Sequence, residues 1–125
     1  MTTPDGVGVE RTHHTMTTAD GVIICVDHYH APGREAAVII CPGFFQSKET
    51  GTFQRMSLAL AAHWDVLAMD FRGHGRSTGL YTFSASEGAD LEALLRFAQE
   101  RYQRLGVLAF SLGAAIAVNA LSRQP

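Results

Sequence analysis

The chain has 125 residues, 46% of them hydrophobic, which is enough for one domain with a core of its own and too few for two. Ten basic and twelve acidic residues leave a formal net charge of −2 with no basic stripe, which argues against nucleic acid or acidic membrane surfaces as primary partners. No segment reaches membrane-spanning length and no basic region leads into an apolar run at residues 1–9; Cys25 and Cys41 each sit in an apolar run, so we read a cytoplasmic chain with two reduced, buried cysteines.

Residues 1–8 are polar with Gly and Pro, and fraying is expected there, which leaves 9–125 as the folded domain. Residues 9–18 and 22–30 flank the turn signal Ala19, Asp20 and Gly21 and predict an antiparallel hairpin. His28 and His30 share a face of its second strand, but two imidazoles with no further ligand at a recognisable spacing read as a solvated strand end, not a metal site. Residues 37–41 are apolar on both faces, as a central parallel strand requires, and stop at Pro42 and Gly43. Thr52 is placed to cap a helix with Phe53, Met56, Leu60 and His63 along one side, closed by Trp64. A second doubly apolar strand, 66–69, ends in Asp70 and the loop Phe71, Arg72, Gly73, His74, Gly75, Arg76, Ser77. Ser84 with Glu87 spells a capping box, followed by Leu91, Leu94, Leu95, Ala98 and Tyr102 at helical spacing.

Residues 105–118 run from a short strand through Ser111 into an Ala-rich helix. Ala109 and Gly113, two before and two after the serine, are small, as a tight strand-to-helix corner demands. Such a corner lifts the hydroxyl clear of its strand and aims the free N–H groups of a helix start beside it. The alternative reading of these five residues is a serine that simply caps a buried helix. In a mostly parallel sheet the carboxyl ends of the strands collect ligand chemistry, and Pro42 with Gly43, Asp70 with its loop, and Ser111 all fall there.

With these three turns in this order, the chain resembles the α/β-hydrolase family over residues 9–123, leaning toward the lysophospholipase, monoacylglycerol lipase and serine aminopeptidase-like branch. Cys41, Pro42, Gly43, Phe44, Phe45 is similar to the family's oxyanion loop, with Pro42 where His is frequent; the Asp70 to Ser77 loop and the Ala109-Phe110-Ser111-Leu112-Gly113 elbow match in the same way. The resemblance implies an α/β fold, a mostly parallel sheet with an antiparallel N-terminal hairpin. It also implies Ser111 as nucleophile, the backbone N–H groups of Phe44 and Leu112 as oxyanion donors, and structural roles at the site for Gly43, Asp70, Gly73, Gly75, Ala109 and Gly113. It implies a small-molecule acyl substrate and no cofactor or metal, and it makes the loop carrying His74 a structural turn, not the source of a base.

In that fold the acid and the His follow the nucleophile, yet no Asp, Glu or His follows Ser111 and all six histidines precede it. The expectation is therefore the N-terminal half of the fold, truncated after the elbow helix, with an open apolar strand edge that invites a completing partner or self-association. Two function classes stay open. One is a serine hydrolase of esters or thioesters whose acid and base lie elsewhere; the other is a catalytically inactive fragment acting as a binding or assembly module. A third reading, a dinucleotide turn at Gly73, Gly75 and Gly79, is opposed by residues 80–83, which separate the glycines from the next helix.

Overall fold

The computed structural model describes residues 1–43, 46–82 and 85–124. Strands β1 (Glu10–Thr17) and β2 (Ile23–His30) form the hairpin, in register from Glu10 opposite His30 to Thr17 opposite Ile23. Its turn closes through Gly21, whose φ of 86° lies in the left-handed region that glycine enters without strain. Then come β3 (Ala36–Cys41), α1 (Gly51–Leu60), β4 (Asp65–Met69), α2 (Gly88–Gln99), β5 (Arg104–Ala109) and α3 (Leu112–Leu121). The sheet order is β1-β2-β4-β3-β5, antiparallel from β1 to β4 and parallel among β4, β3 and β5.

Two cores follow from the alternation of side chains across the sheet. Ile24, Val26, Ile39 and Leu67 face α2 and α3, meeting Leu91, Leu94 and Ile116. Tyr29, Ile40, Val66 and Ala68 face the other way, toward Phe53 of α1. All five residues of β4 are buried, as a strand apolar on both faces requires when helices cover both sides.

Beyond β3, β5 has no further strand beside it among the described residues. Leu108 on β5 and Val118 and Leu121 on α3 are exposed, Val118 by 68%. The apolar edge expected from sequence is therefore an observed surface of this chain.

Several local expectations are corrected by tertiary contacts. Thr50, not Thr52, stands at the N-terminus of α1, since its carbonyl accepts the first helical bond from Gln54 N–H at 2.9 Å. The helix ends at Leu60, so His63 lies in the following turn, exposed and 3.8 Å from Asp5 instead of on the apolar face. Likewise α2 stops at Gln99, and Tyr102 is buried from the loop beyond it. Ser84 of the expected capping box lies outside the described residues. Glu87 is fully buried, and its carboxylate takes the Thr82 N–H at 2.9 Å. Cys41 is buried as expected, whereas Cys25 is only partly so; both are free thiols. Residues 1–8 carry a Thr2–Gly8 bridge, and the buried Thr3 hydroxyl accepts the Val7 N–H at 3.0 Å.

Candidate active site

Ser111 occupies the corner between β5 and α3 with φ 54° and ψ −125°, the one described non-glycine residue at positive φ. An L-residue is held there against about 1–3 kcal/mol of strain, so the surrounding packing must enforce the turn. Phe110 N–H bonds Cys41 O at 3.1 Å on one side of the corner, and Gly113 N–H bonds Phe110 O at 2.8 Å on the other. The Phe110 ring packs edge-on against Phe53 of α1, with ring centroids 5.3 Å apart. Ser111 is exposed and its hydroxyl makes no capping bond to its own helix, so the helix-capping alternative is set aside. Leu112 opens α3, in the first turn, where N–H groups lack intrahelical acceptors.

The glycines explain how closely the turns approach. A Cβ on Gly113 would stand 2.3 Å from Pro42 O and 2.9 Å from Cys41 O, so only a glycine lets α3 start against the end of β3. A Cβ on Gly43 would stand 3.0 Å from Ser111 Cβ and 3.2 Å from Phe110 O. The loop after β3 and the serine corner are thus in contact. Phe44, the other expected oxyanion donor, lies outside the described residues, as does Phe45. Gly43 itself is fixed in a short turn, donating its N–H to Gln46 Oε1 at 2.7 Å and accepting from Gln46 N–H at 3.1 Å. Ala109 ends β5 opposite Cys41.

Asp70, fully buried, closes the third turn. Its Oδ1 accepts the Lys48 N–H at 2.8 Å, and burial pushes its carboxyl up despite the nearby Lys48 ammonium. Gly75, at φ 53°, lies so near that an added Cβ would fall 2.0 Å from Asp70 Oδ2. Gly73, at φ 76°, is packed as tightly against Tyr81 N, 2.7 Å from a built Cβ. Arg72 is buried: its backbone N–H donates to Asp90 Oδ2 at 2.8 Å, and its guanidinium donates to Asp90 Oδ1 at 2.7 Å and to Asp20 Oδ2 at 2.7 Å. His74 is buried with Nδ1 3.1 Å from Arg72 O. The loop is a braced turn.

Sequence reasoning missed the buried charge around these turns. Lys48 sits among Asp27, Asp70 and Glu49, and Asp27 Oδ1 meets His13 Nδ1 at 2.5 Å across the hairpin. Asp27 in the middle of an apolar strand was the legible signal. His28 is likewise not a solvated strand end: it is buried with Nε2 2.6 Å from Tyr102 Oη, which in turn donates to Asp65 Oδ2. Burial holds the imidazole down at about 4. His30 pairs with Thr12 Oγ1 at 2.8 Å instead of joining His28 on a ligand. These groups border a cavity of about 680 Å³ at the amino ends of the parallel strands, on the rim opposite Ser111.

The sheet order, helices on both faces and a strained serine between β5 and α3 define an α/β-hydrolase fold. Among solved structures, the esterase Pf2001 of Pyrococcus furiosus is similar at 30% identity and a TM-score of 0.84, with 93% of this chain and 48% of that one covered. An α/β hydrolase of Novosphingobium aromaticivorans is similar at 26% identity and a TM-score of 0.76, covering 95% of this chain and 42% of that one. XC6422 of Xanthomonas campestris, an α/β serine hydrolase without a lid, shares the fold at 21% identity and a TM-score of 0.77, covering 93% and 57%. The chain spans about half the length of these proteins. No curated protein matches it in sequence. Residues 32–125 match the serine aminopeptidase S33 family, and the chain belongs to that family.

Proposed function

We propose that the chain carries the nucleophile of a serine hydrolase acting on carboxylic esters or thioesters. The observation that carries this reading is Ser111 itself: an exposed hydroxyl on a strained corner, free of capping duty and in contact with the Gly43 loop. Its Oγ attacks the acyl carbonyl, and the N–H groups of Leu112 and Phe44 take the negative charge that develops on the carbonyl oxygen. The alcohol or thiol then leaves with the proton removed from Ser111, and water releases the acid from the acyl-enzyme. The esterase among the similar structures supports an ester substrate.

A serine needs an imidazole to take its proton. His13, His28, His30 and His74 are engaged with Asp27, Tyr102, Thr12 and Arg72, His14 packs against Phe97 with ring centroids 5.0 Å apart, and His63 lies beside Asp5. We therefore assign the base and its acid to segments outside these 125 residues. The substrate, on this reading, is a small acyl compound, and no cofactor takes part. The exposed β5 edge with Val118 and Leu121 supports a completing segment or second chain there. The free thiols fit a reducing, cytoplasmic address.

The test uses the polypeptide as its native source makes it. A fluorophosphonate probe is expected to add one label on Ser111, lost in Ser111→Ala, with p-nitrophenyl butyrate hydrolysis lost in parallel. An unlabelled, folded wild-type protein sinks the hydrolase reading and favours a binding or assembly module built on the β5 edge.

A further inference from the structure

Lys48 is 2% exposed, although it lies in the loop between β3 and α1, where a lysine normally reaches solvent. Its ammonium stands 3.4 Å from Asp27 Oδ1, 3.6 Å from Asp70 Oδ2 and 3.9 Å from Glu49 Oε1. Asp27 belongs to the middle of β2 and Asp70 follows the end of β4, so one side chain spans two strands of the sheet. The main chain of Lys48 is tied to the same place by its N–H bond to Asp70 Oδ1. Removing three such charges from water costs several kcal/mol per ion, and buried ion pairs add little net stability. Such a cluster calls for a gain other than stability.

We propose that Lys48 is a positioning residue of the active site, pinning residues 46–50 to β2 and β4 so that the Gly43 turn, bonded to Gln46, is held against Ser111. The proposal rests on the reading of Ser111 as nucleophile. Three observations support it. Gly43, at one end of the loop, is in contact range of Ser111, while Lys48 lies five residues on. Gln46, two residues before Lys48, is tied to Gly43 by a pair of bonds, so a shift at Lys48 is passed to Gly43 through described contacts. Asp70 takes the Lys48 N–H on Oδ1 and stands 3.6 Å from its ammonium through Oδ2, and Gly75 packs on that carboxylate and on the loop so closely that an added Cβ would fall 2.0 Å from Oδ2 and 3.0 Å from Ser47 Oγ. His13 at the solvent end of the chain of charges supplies a second donor to Asp27.

The test compares wild type with Lys48→Met in the natively produced polypeptide, reading kcat, KM, phosphonate labelling rate and amide hydrogen exchange. The expected result is a kcat loss of about 10- to 100-fold, as for a misplacement of about 1 Å, with KM within about threefold. Labelling of Ser111 slows in step, and amides 46–50 exchange faster while those of α2 do not change. A folded Lys48→Met with kcat within twofold of wild type, or with unchanged exchange over 46–50, overturns the proposal. A wild type that neither turns over nor labels overturns the nucleophile reading instead, and the exchange comparison still decides the tether. If Lys48→Met does not fold, Lys48→Met with Asp27→Asn, which removes one of the stranded buried carboxylates, is read against the same outcomes.

Discussion

Alanine at position 113 is the sharpest perturbation available at the serine corner. The added methyl would lie 2.3 Å from Pro42 O and 2.9 Å from Cys41 O, both backbone atoms at the end of a central strand. An ordinary carbon–oxygen contact is about 3.3 Å or more, so α3 must retreat by roughly 1 Å, since no side chain can rotate away. Overpacking of this kind costs about 1–3 kcal/mol. With backbone on the other side we take the upper figure, which lowers Tm by roughly 10 °C for a domain of this size. The same retreat moves the Leu112 N–H from Ser111, and about 1 Å of misplacement at a reacting centre costs about 100-fold in rate. Gly106→Ala in β5 is the internal control, because its built Cβ meets only Val38 Cγ2 at 4.0 Å. There the reduced entropy of the unfolded chain is expected to raise stability by about 0.5 kcal/mol. Thermal melts of both variants with labelling rates for Ser111 make the comparison. Gly113→Ala melting within 2 °C of wild type, or Gly106→Ala losing as much as Gly113→Ala, would refute this packing account.

Ser111→Gly removes a side chain from positive φ and is expected to stabilise the fold by about 1 kcal/mol while abolishing labelling; Ser111→Ala loses labelling without that gain, so equal melting of the two variants counts against strain at the corner. His28 titrates at about 4 when folded against 6.5 in the ordinary state, so the unfolded chain binds more protons between those values. Its contribution to stability is complete above pH 6.5 and is lost as pH falls toward 4; His14, also held low by burial, adds in the same direction. His28→Gln should flatten the pH dependence of Tm over that window, and an unchanged slope speaks against it. Arg72→Met strands Asp90, whose side chain is fully buried, and is expected to cost about 3–5 kcal/mol in a denaturant titration. Asp20→Ala removes only the exposed partner, and a loss as large as that of Arg72→Met would contradict this ranking.

How much of this was legible depends on whether a residue's role is set by its neighbours in sequence or in space. The runs at 37–41 and 66–69 gave β3 and β4 because a strand covered on both faces has no polar alternation to confuse. The small residues around Ser111 gave the corner, because the steric demand of a tight strand-to-helix turn falls on positions two residues away. Lys48, Asp27, Glu87 and Asp90 were not legible as buried groups. A charged side chain reads as solvated until its partner is known: Lys48, Asp27 and Asp90 are paired across elements, and Glu87 folds back on Thr82 in the irregular loop ahead of α2. His28 failed for the same reason, since Tyr102 is 74 residues away in sequence. Thr50 and Thr52 show a milder limit: either threonine suits a helix start, and the turn closed by Thr50 N–H on Ser47 O decides between them.

The order β1-β2-β4-β3-β5 also means that the chain leaves β3 in one direction, to β4, and later returns past it to β5 on the far side. Its helices obey the same reversal: α1 lies on one face, and α2 and α3 on the other. The strand order therefore reverses between β3 and β5, and the rim where Pro42 and Gly43 follow one strand and Ser111 follows the other is a switch point fixed by connectivity alone. Side chains around that rim can be exchanged without disturbing the topology, but the switch point cannot migrate without rewinding the sheet.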